Sequence, residues 1–260
     1  MNSFDLVASR FERSRALPAT VAAAIRQALY EHGGLNAKSR LLEVGCGTGR
    51  IGAEFCAAGD NYLGLDSSIS MLREFERKDF PQAPILIRAD GGCLPFCAGV
   101  FEAVLMVQLL TAQNWPPLLA EANRVLQSQG VLAIGKTKGP PDGVDAMMRD
   151  RLEKLICAMG MSEPSSDRGA MTEWLKANSS RQLKLRPIDW VEDRTPRDFI
   201  HRKQSAARFA SFPADLRETA LRSLADWAER HIGPLDARFS EPYYFSLELY
   251  WFQGGIAKHD

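Results

Sequence analysis

The chain lacks net charge, long apolar runs and any paired framework of cysteines. Its 32 basic and 32 acidic residues cancel, which removes a general attraction to phosphate backbones or anionic lipid. That argues against a nucleic-acid partner, although a local basic patch stays open. No apolar stretch approaches the roughly 20 residues that span a bilayer, so no membrane partner is expected. Met1-Asn2-Ser3-Phe4-Asp5 has neither a basic n-region nor an apolar h-region, and no secretory signal is expected. Cys46, Cys56, Cys93, Cys97 and Cys157 are odd in number, and Cys93/Cys97 has no second pair beside it. Neither a metal site nor a disulfide framework follows, and a reduced, cytoplasmic protein is the expectation. With 45% apolar residues over 260 positions, the chain is long enough to bury a full core.

Hydrophobic periodicity organises the rest. Apolar residues recur at three- and four-residue spacings from Leu6 to Tyr30, broken at Pro18 and ended by Gly33-Gly34, which predicts two N-terminal helices. Strands are predicted at Arg40 to Val44, Tyr62 to Asp66, Ile85 to Ala89, Val100 to Gln108 and Gly130 to Lys136. Helices are predicted between them at Ile51 to Ala58, Ser68 to Arg77 and Trp115 to Leu126. Short apolar strands alternating with helices suit a parallel sheet covered on both faces, joined by right-handed crossovers: an α/β, doubly wound architecture. Beyond Lys136 the pattern changes. Gly139-Pro140-Pro141-Asp142-Gly143 reads as a loop, Val144 to Met159 as a helix, Ser162 to Gly169 as a polar connection and Met171 to Asn178 as a helix. A sixth strand is predicted at Leu183 to Val191, two helical stretches split near Pro213 between Thr195 and Arg230, and a closing strand at Pro242 to Phe252. The expected organisation is a single domain over 1–260. It has N-terminal helices in 1–36, a core of alternating strands and helices in 37–138, and the remainder of the sheet in 139–260 with a small helical cap at about 195–232.

The most informative stretch is Leu41-Leu42-Glu43-Val44-Gly45-Cys46-Gly47-Thr48-Gly49-Arg50. An apolar run feeds a loop with glycine at every second position, and Asp66 ends the next apolar segment. In an α/β chain this builds a nucleotide-type pocket at the first strand-to-helix turn. Gly47-Thr48-Gly49-Arg50-Ile51-Gly52 satisfies the dinucleotide pattern G-x-G-x-x-G. Counted from the strand end at Gly45, however, the third glycine position is Arg50, a large side chain where helix and strand should approach closely. A ligand-free glycine turn is the plain alternative, and turn chemistry alone does not account for the acid at the end of strand two.

Glu43-Val44-Gly45-Cys46-Gly47-Thr48-Gly49 resembles the first motif of the class I S-adenosylmethionine-dependent methyltransferases, and Gly64-Leu65-Asp66-Ser67-Ser68-Ile69-Ser70-Met71-Leu72 resembles their second. Arg88-Ala89-Asp90-Gly91 with Leu94-Pro95-Phe96 is similar to the third. Phe101-Glu102-Ala103-Val104, with Glu121 and Arg124-Val125-Leu126, is similar to the fourth and the helix before strand five. The type 11 subgroup, which acts mostly on small molecules, is the nearest in pattern, over roughly Phe4 to Lys136. The resemblance implies a Rossmann-like sheet of seven strands, mostly parallel with the last antiparallel. It also implies S-adenosyl-L-methionine as cofactor, with S-adenosyl-L-homocysteine as product. Residues Gly45, Cys46, Gly47, Thr48 and Gly49 would then pack against the methionine moiety, with Glu43 orienting the loop. Asp66 would accept from the ribose hydroxyls, with a helix N-cap as the plainer role. Ser67 and Met71 would lie near the adenine. Asp90 and the Gly91 amide would bind the base edge, unless Asp90 is simply a turn aspartate. Gln108 would line the methionine end and face the acceptor, unless it is a plain strand-end amide. Phe11 and Arg15, at i and i+4 of a helix, would close over the cofactor, with a solvated, partly packed helix face as the plainer outcome. Glu102, Gln108 and Ser128-Gln129 depart from the family's usual aspartate, histidine or asparagine, and Pro-Gly.

The acceptor is less legible. No Asn/Asp-Pro-Pro-Tyr/Phe run follows strand four, since Gln108-Leu109-Leu110-Thr111 stands there. That counts against amino methylation of adenine or glutamine. His201, Tyr243 and Tyr244 are the candidate catalytic residues, each with a surface or core role as its plain alternative. Residues Arg181 to Arg208 hold eight basic against four acidic side chains, a solvated face or a preference for anionic substrates. The expectation is methyl transfer to a small-molecule acceptor by in-line SN2 displacement. RNA or protein methylation, a non-catalytic cofactor-binding partner and a nicotinamide oxidoreductase are the alternatives.

Overall fold

A computed structural model describes residues 17–111, 114–160, 168–204, 209 and 212–252. The sheet has seven strands in the order β3-β2-β1-β4-β5-β7-β6. They are β1 (Leu41–Val44), β2 (Tyr62–Asp66), β3 (Ile85–Arg88), β4 (Phe101–Val107), β5 (Leu126–Lys138), β6 (Ser179–Arg194) and β7 (Phe239–Phe252). Strands β3, β2, β1, β4 and β5 pair in parallel, with Val44 beside Leu65 and Leu42 beside Val104. Strand β7 runs against β6. Ser180 Oγ donates to the Trp251 carbonyl at one end and Ser240 Oγ to the Asp193 carboxylate at the other, so one strand ascends as its neighbour descends.

The described helices are α1 (Ala19–Gly33), α2 (Gly52–Ala57), α3 (Ile69–Glu76), α4 (Trp115–Val125), α5 (Val144–Ala158), α6 (Arg168–Asn178), α7 (Pro196–Gln204) and α8 (Ala214–His231). Helix α1 buries Val21, Ala22, Ile25, Ala28 and Leu29, one apolar stripe at helical spacing. Its polar side is fastened by Arg26, whose guanidinium donates to both oxygens of Asp60 (2.6 and 2.9 Å), and by Tyr30, whose hydroxyl donates to the same carboxylate (2.5 Å). A bidentate pair of this kind fixes an angle as well as a contact. The first of the two expected N-terminal helices, with Phe11 and Arg15, lies outside the described residues.

Contacts divide the chain into two compact units: the described parts of 1–137, 166–188 and 245–260, and those of 138–165 and 189–244. The first holds the apolar layer around Leu42, Leu65, Val104, Leu119 and Leu132. The second has its own core. Val144, Met148, Leu152 and Ile156 form an every-fourth-residue stripe on α5, packed with Ala220, Leu224 and Ala228 of α8 and with Phe199 and Ile200 of α7.

Three late elements differ from expectation. Strand β5 begins at Leu126, four residues earlier than predicted, because Phe101 pairs with Leu126 before Ala103 pairs with Val131. The extra residues bulge, and Ser128-Gln129 lie inside the strand rather than leading into it. Strand β6 extends beyond Leu183–Val191 at both ends, and β7 starts at Phe239. Polar outward positions mask strand character when only apolar runs are counted.

Candidate functional site

Strand order reverses between β1 and β4: the chain builds β2 and β3 on one side of β1 and β4 and β5 on the other. At such a switch point the loops leaving two neighbouring strands diverge beyond the carboxyl ends, the general place for a ligand in an α/β sheet. Here those loops are the glycine loop after β1 and the turn Gln108-Leu109 after β4.

The loop is shaped by the protein's own backbone and side chains. Gly45 and Cys46 N–H both donate to the Leu65 carbonyl (2.7 and 3.0 Å), tying the loop to the end of β2. Gly45, Gly47 and Gly49 have φ of 75, 56 and 77°, in the left-handed region. A Cβ at Gly45 would stand 2.8 Å from Leu109 Cδ1, and one at Gly49 2.3 Å from the Phe75 ring. At Gly47 nothing lies within 4 Å. Of the three glycines, Gly47 alone presents an open face.

Asp66 holds the loop's tip. Its two oxygens accept from Gly47 N–H and Ser68 N–H, both at 2.9 Å. Burial pushes its pKa up while these amides pull it down. The N-cap of α3 is Ser68, whose Oγ accepts from Met71 N–H at 3.4 Å, so the plainer role considered for Asp66 falls to its neighbour. Thr48 is 2% exposed, and its Oγ1 has no hydrogen-bond partner among the described residues.

Behind the loop, Glu43 is buried and accepts from the Tyr62 hydroxyl at 2.6 Å. Burial raises its pKa to about 8, with Tyr62, Arg50 and the Gly52 amide opposing and Asp66 adding to the rise. A Cβ at Gly52 would stand 2.1 Å from the Tyr62 hydroxyl and 2.9 Å from Glu43 Oε2. The close approach of helix to strand therefore falls on Gly52. Arg50 instead lies half-buried and donates from Nη2 to Gln108 Oε1 at 3.5 Å. The objection that Arg50 occupies the close-approach position does not hold in three dimensions. Cys46 is buried beside Glu43 and Asp66, and burial first, then those carboxyls, pushes its thiol far up.

On the third strand's side, Asp90 makes a turn: Oδ1 accepts from Gly92 N–H (2.9 Å) and its carbonyl from Cys93 N–H (3.0 Å). Gly91 sits tightly under Leu118 and Val44. Ser67 is exposed, whereas Met71 is buried on the core face of α3. The loop beyond is clamped from α4. Glu121 Oε2 accepts from Leu94 N–H (2.6 Å), and Arg124 donates to the carbonyls of Phe96 (2.7 Å) and Leu94 (3.0 Å) while bridging Glu121 at 2.6 Å. Replacing Arg124 by methionine strands two carbonyls and a carboxylate. We expect a loss of about 1–3 kcal/mol and cleavage within residues 91–99 on limited proteolysis; a loop as resistant as before would refute the clamp.

His201, Tyr243 and Tyr244 belong to the second unit. His201 is exposed on α7. Tyr243 is buried, stacked on Trp190, and its hydroxyl accepts from Arg194 Nε at 3.2 Å. Burial raises its pKa, and Arg194 opposes the rise. Its oxygen is engaged in that unit's own network, where Arg194 and Arg202 also pair with Asp145. Tyr244 is half-buried. Sequence reasoning overlooked Tyr62, Leu109 and Thr137, because their roles depend on side chains from other strands.

A family model described as "Methyltransferase domain" matches residues 42–134. A demethylmenaquinone methyltransferase of Tropheryma whipplei is 30% identical over 162 residues, 59% of this chain and 68% of that protein. A bifunctional biotin biosynthesis protein of Cellvibrio japonicus is 32% identical over 104 residues, but the match spans only 20% of its length. Among solved structures, the YcgJ protein of Bacillus subtilis superposes with a TM-score of 0.57 at 16% identity, covering 89% of this chain and 99% of that one. The solved structure shares the fold, and by the matched family model and the Tropheryma whipplei relative the chain belongs to the class I S-adenosylmethionine-dependent methyltransferases, in the type 11 group.

Proposed function

We propose that this chain methylates a small molecule, with S-adenosylmethionine held at the switch point. The observation that carries the reading is the glycine loop pinned by Asp66, with one open glycine at its tip. The residues present fit the cofactor. Among the described residues Thr48 keeps a buried, unpartnered hydroxyl, Gly47 leaves room where a Cβ would point, and Asp66 has lone-pair sites beyond those its amides use. When bound, the cofactor supplies a sulfonium methyl group open to in-line displacement.

The protein's share is to bind, orient and exclude water. Gly45, Cys46, Gly47, Thr48 and Gly49 would line the methionine end, with Glu43 holding them from behind. Asp66 would accept from the ribose hydroxyls, Ser67, Asp90 and Gly91 would meet the base, and Gln108 would close the acceptor side. The buried Met71 would serve from beneath, as packing. Arg15 lies outside the described residues, so its proposed closure over the cofactor rests on its i, i+4 spacing from Phe11 in the sequence. The small-molecule acceptor is supported by the relative named for demethylmenaquinone and by a balanced charge that offers nucleic acid no general attraction. No helix among the described residues is long and apolar enough to cross a membrane.

Calorimetric titration with S-adenosylmethionine, S-adenosylhomocysteine and NAD(H) tests the reading. Binding of both sulfur compounds and not of the nicotinamide is expected; the reverse would overturn it. Asp66→Ala should weaken S-adenosylhomocysteine binding about 30-fold, roughly 2 kcal/mol, with the far-ultraviolet spectrum of a folded protein. Unchanged affinity would remove Asp66 from the site.

A further inference from the structure

Among the described residues Gln108 is the only non-glycine with positive φ (53°). A side chain held in this left-handed conformation costs about 1–2 kcal/mol, so its surroundings must over-determine it. They do so from three directions. Its N–H donates to the Gly135 carbonyl (2.8 Å), its Nε2 to Thr137 Oγ1 (2.9 Å), and its Oε1 accepts from Arg50 Nη2 (3.5 Å). The next residue, Leu109, presses on Gly45. The two loops at the switch point are thereby joined at one exposed amide.

The chemistry of Arg50 decides which way that amide faces. A guanidinium only donates, so the atom turned to it must be the carbonyl oxygen, and the nitrogen must lie toward Thr137. Thr137 engages one of the two Nε2 hydrogens, and among the described residues none engages the second. Gln108 is exposed just beyond the carboxyl end of β4, the side on which α/β sheets take their ligands. An amide has no proton affinity to offer an acceptor, so what it presents is a fixed hydrogen-bond donor.

Resting on the reading above, we propose that Gln108 is a specificity-determining residue and Arg50 its positioning residue, together selecting acceptors that present an anionic or carbonyl oxygen — phenolates, enolates or carboxylates — over amines. An ammonium has only donors, and the single lone pair of a neutral amine is needed for the methyl group, so either would set donor against donor beside the Arg50 cation. An acceptor that arrives ionised needs no base from the protein, which matches an amide at Gln108 that supplies none.

The test uses the intact chain saturated with S-adenosylhomocysteine, titrated with two probes of one shape, 4-nitrophenolate and 4-nitroaniline, with dissociation constants from ligand-observed NMR. The phenolate should bind about tenfold or more tightly, at least 1.4 kcal/mol. Gln108→Glu, which replaces the donor by an acceptor of the same size, should abolish that preference. Arg50→Met, which frees the amide to turn over, should reduce the preference to about threefold or less. Gln108→Asn, which keeps the amide and tolerates the left-handed backbone, should keep its sign and shows that the position accepts substitution. Equal response to the two probes, including none to either, overturns the proposal, as does an unchanged preference in Gln108→Glu. If the unaltered protein does not bind S-adenosylhomocysteine at all, the reading of function fails instead.

Discussion

Gly49→Ala is expected to destabilise the protein by about 2–5 kcal/mol and to lower its melting temperature by about 10 °C. Two costs add. The backbone at φ 77° charges an alanine about 1–2 kcal/mol. The new methyl would also stand 2.3 Å from the ring of Phe75, which is fully buried and packed against Tyr62 and Phe80. That ring has nowhere to yield, so overpacking adds roughly another 1–3 kcal/mol. Gly47→Ala should behave differently. Its φ is also positive, but the methyl would meet nothing within 4 Å, so folding should lose only about 1–2 kcal/mol. Affinity for S-adenosylhomocysteine should fall tenfold or more, because the methyl points into the open face. Urea titration and calorimetry on both variants separate the two glycines. Phe75→Leu should recover part of the stability lost in Gly49→Ala. If both variants lose the same stability and the same affinity, the division of labour along the loop is wrong.

That division explains what could be read from the sequence and what could not. The alternation of glycines, the acid at the end of strand two and the strand-helix rhythm through Lys136 are local signals, and the sheet order and first five strands follow from them. What each glycine is for is not local. Phe75 comes from α3 and Leu109 from beyond β4, so a pattern of alternating glycines says nothing of which one faces a ligand. The same limit misplaced the helix's close approach at Arg50 when Tyr62, on the neighbouring strand, puts it at Gly52. Late in the chain, β6 alternates exposed and half-buried residues along most of its 16 positions, and only the central apolar stretch announced it. The second unit's core was hidden for another reason. Its stripes on α5 and α8 are separated in sequence by α6, β6 and α7, so no window contains both faces.

The Glu43–Tyr62 pair leads to a pH dependence unlike that of an ordinary acidic residue. Burial raises the Glu43 pKa from 4.5 to about 8, so the folded state holds a proton that the unfolded chain releases. Stability contributed by that protonation is fully present below pH 4.5 and is lost as pH rises through 8. At about 1.4 kcal/mol for each unit, the fall across the window is roughly 3–5 kcal/mol. Asp66, also raised by burial, acts in the same direction. Glu121 and Glu102 act in the other: their hydrogen bonds to Arg124 and Arg40 lower their pKa values, so their contribution disappears as pH drops below the usual carboxylate range. Glu43→Gln keeps an oxygen for the Tyr62 hydroxyl and cannot ionise. It should therefore cost little at pH 5, become the more stable protein at pH 8, and flatten the profile between them by about 3 kcal/mol in urea denaturation. Parallel profiles for the two proteins would mean that Glu43 ionises in the folded state as readily as in the unfolded one, and the buried neutral carboxyl behind the glycine loop would have to be abandoned.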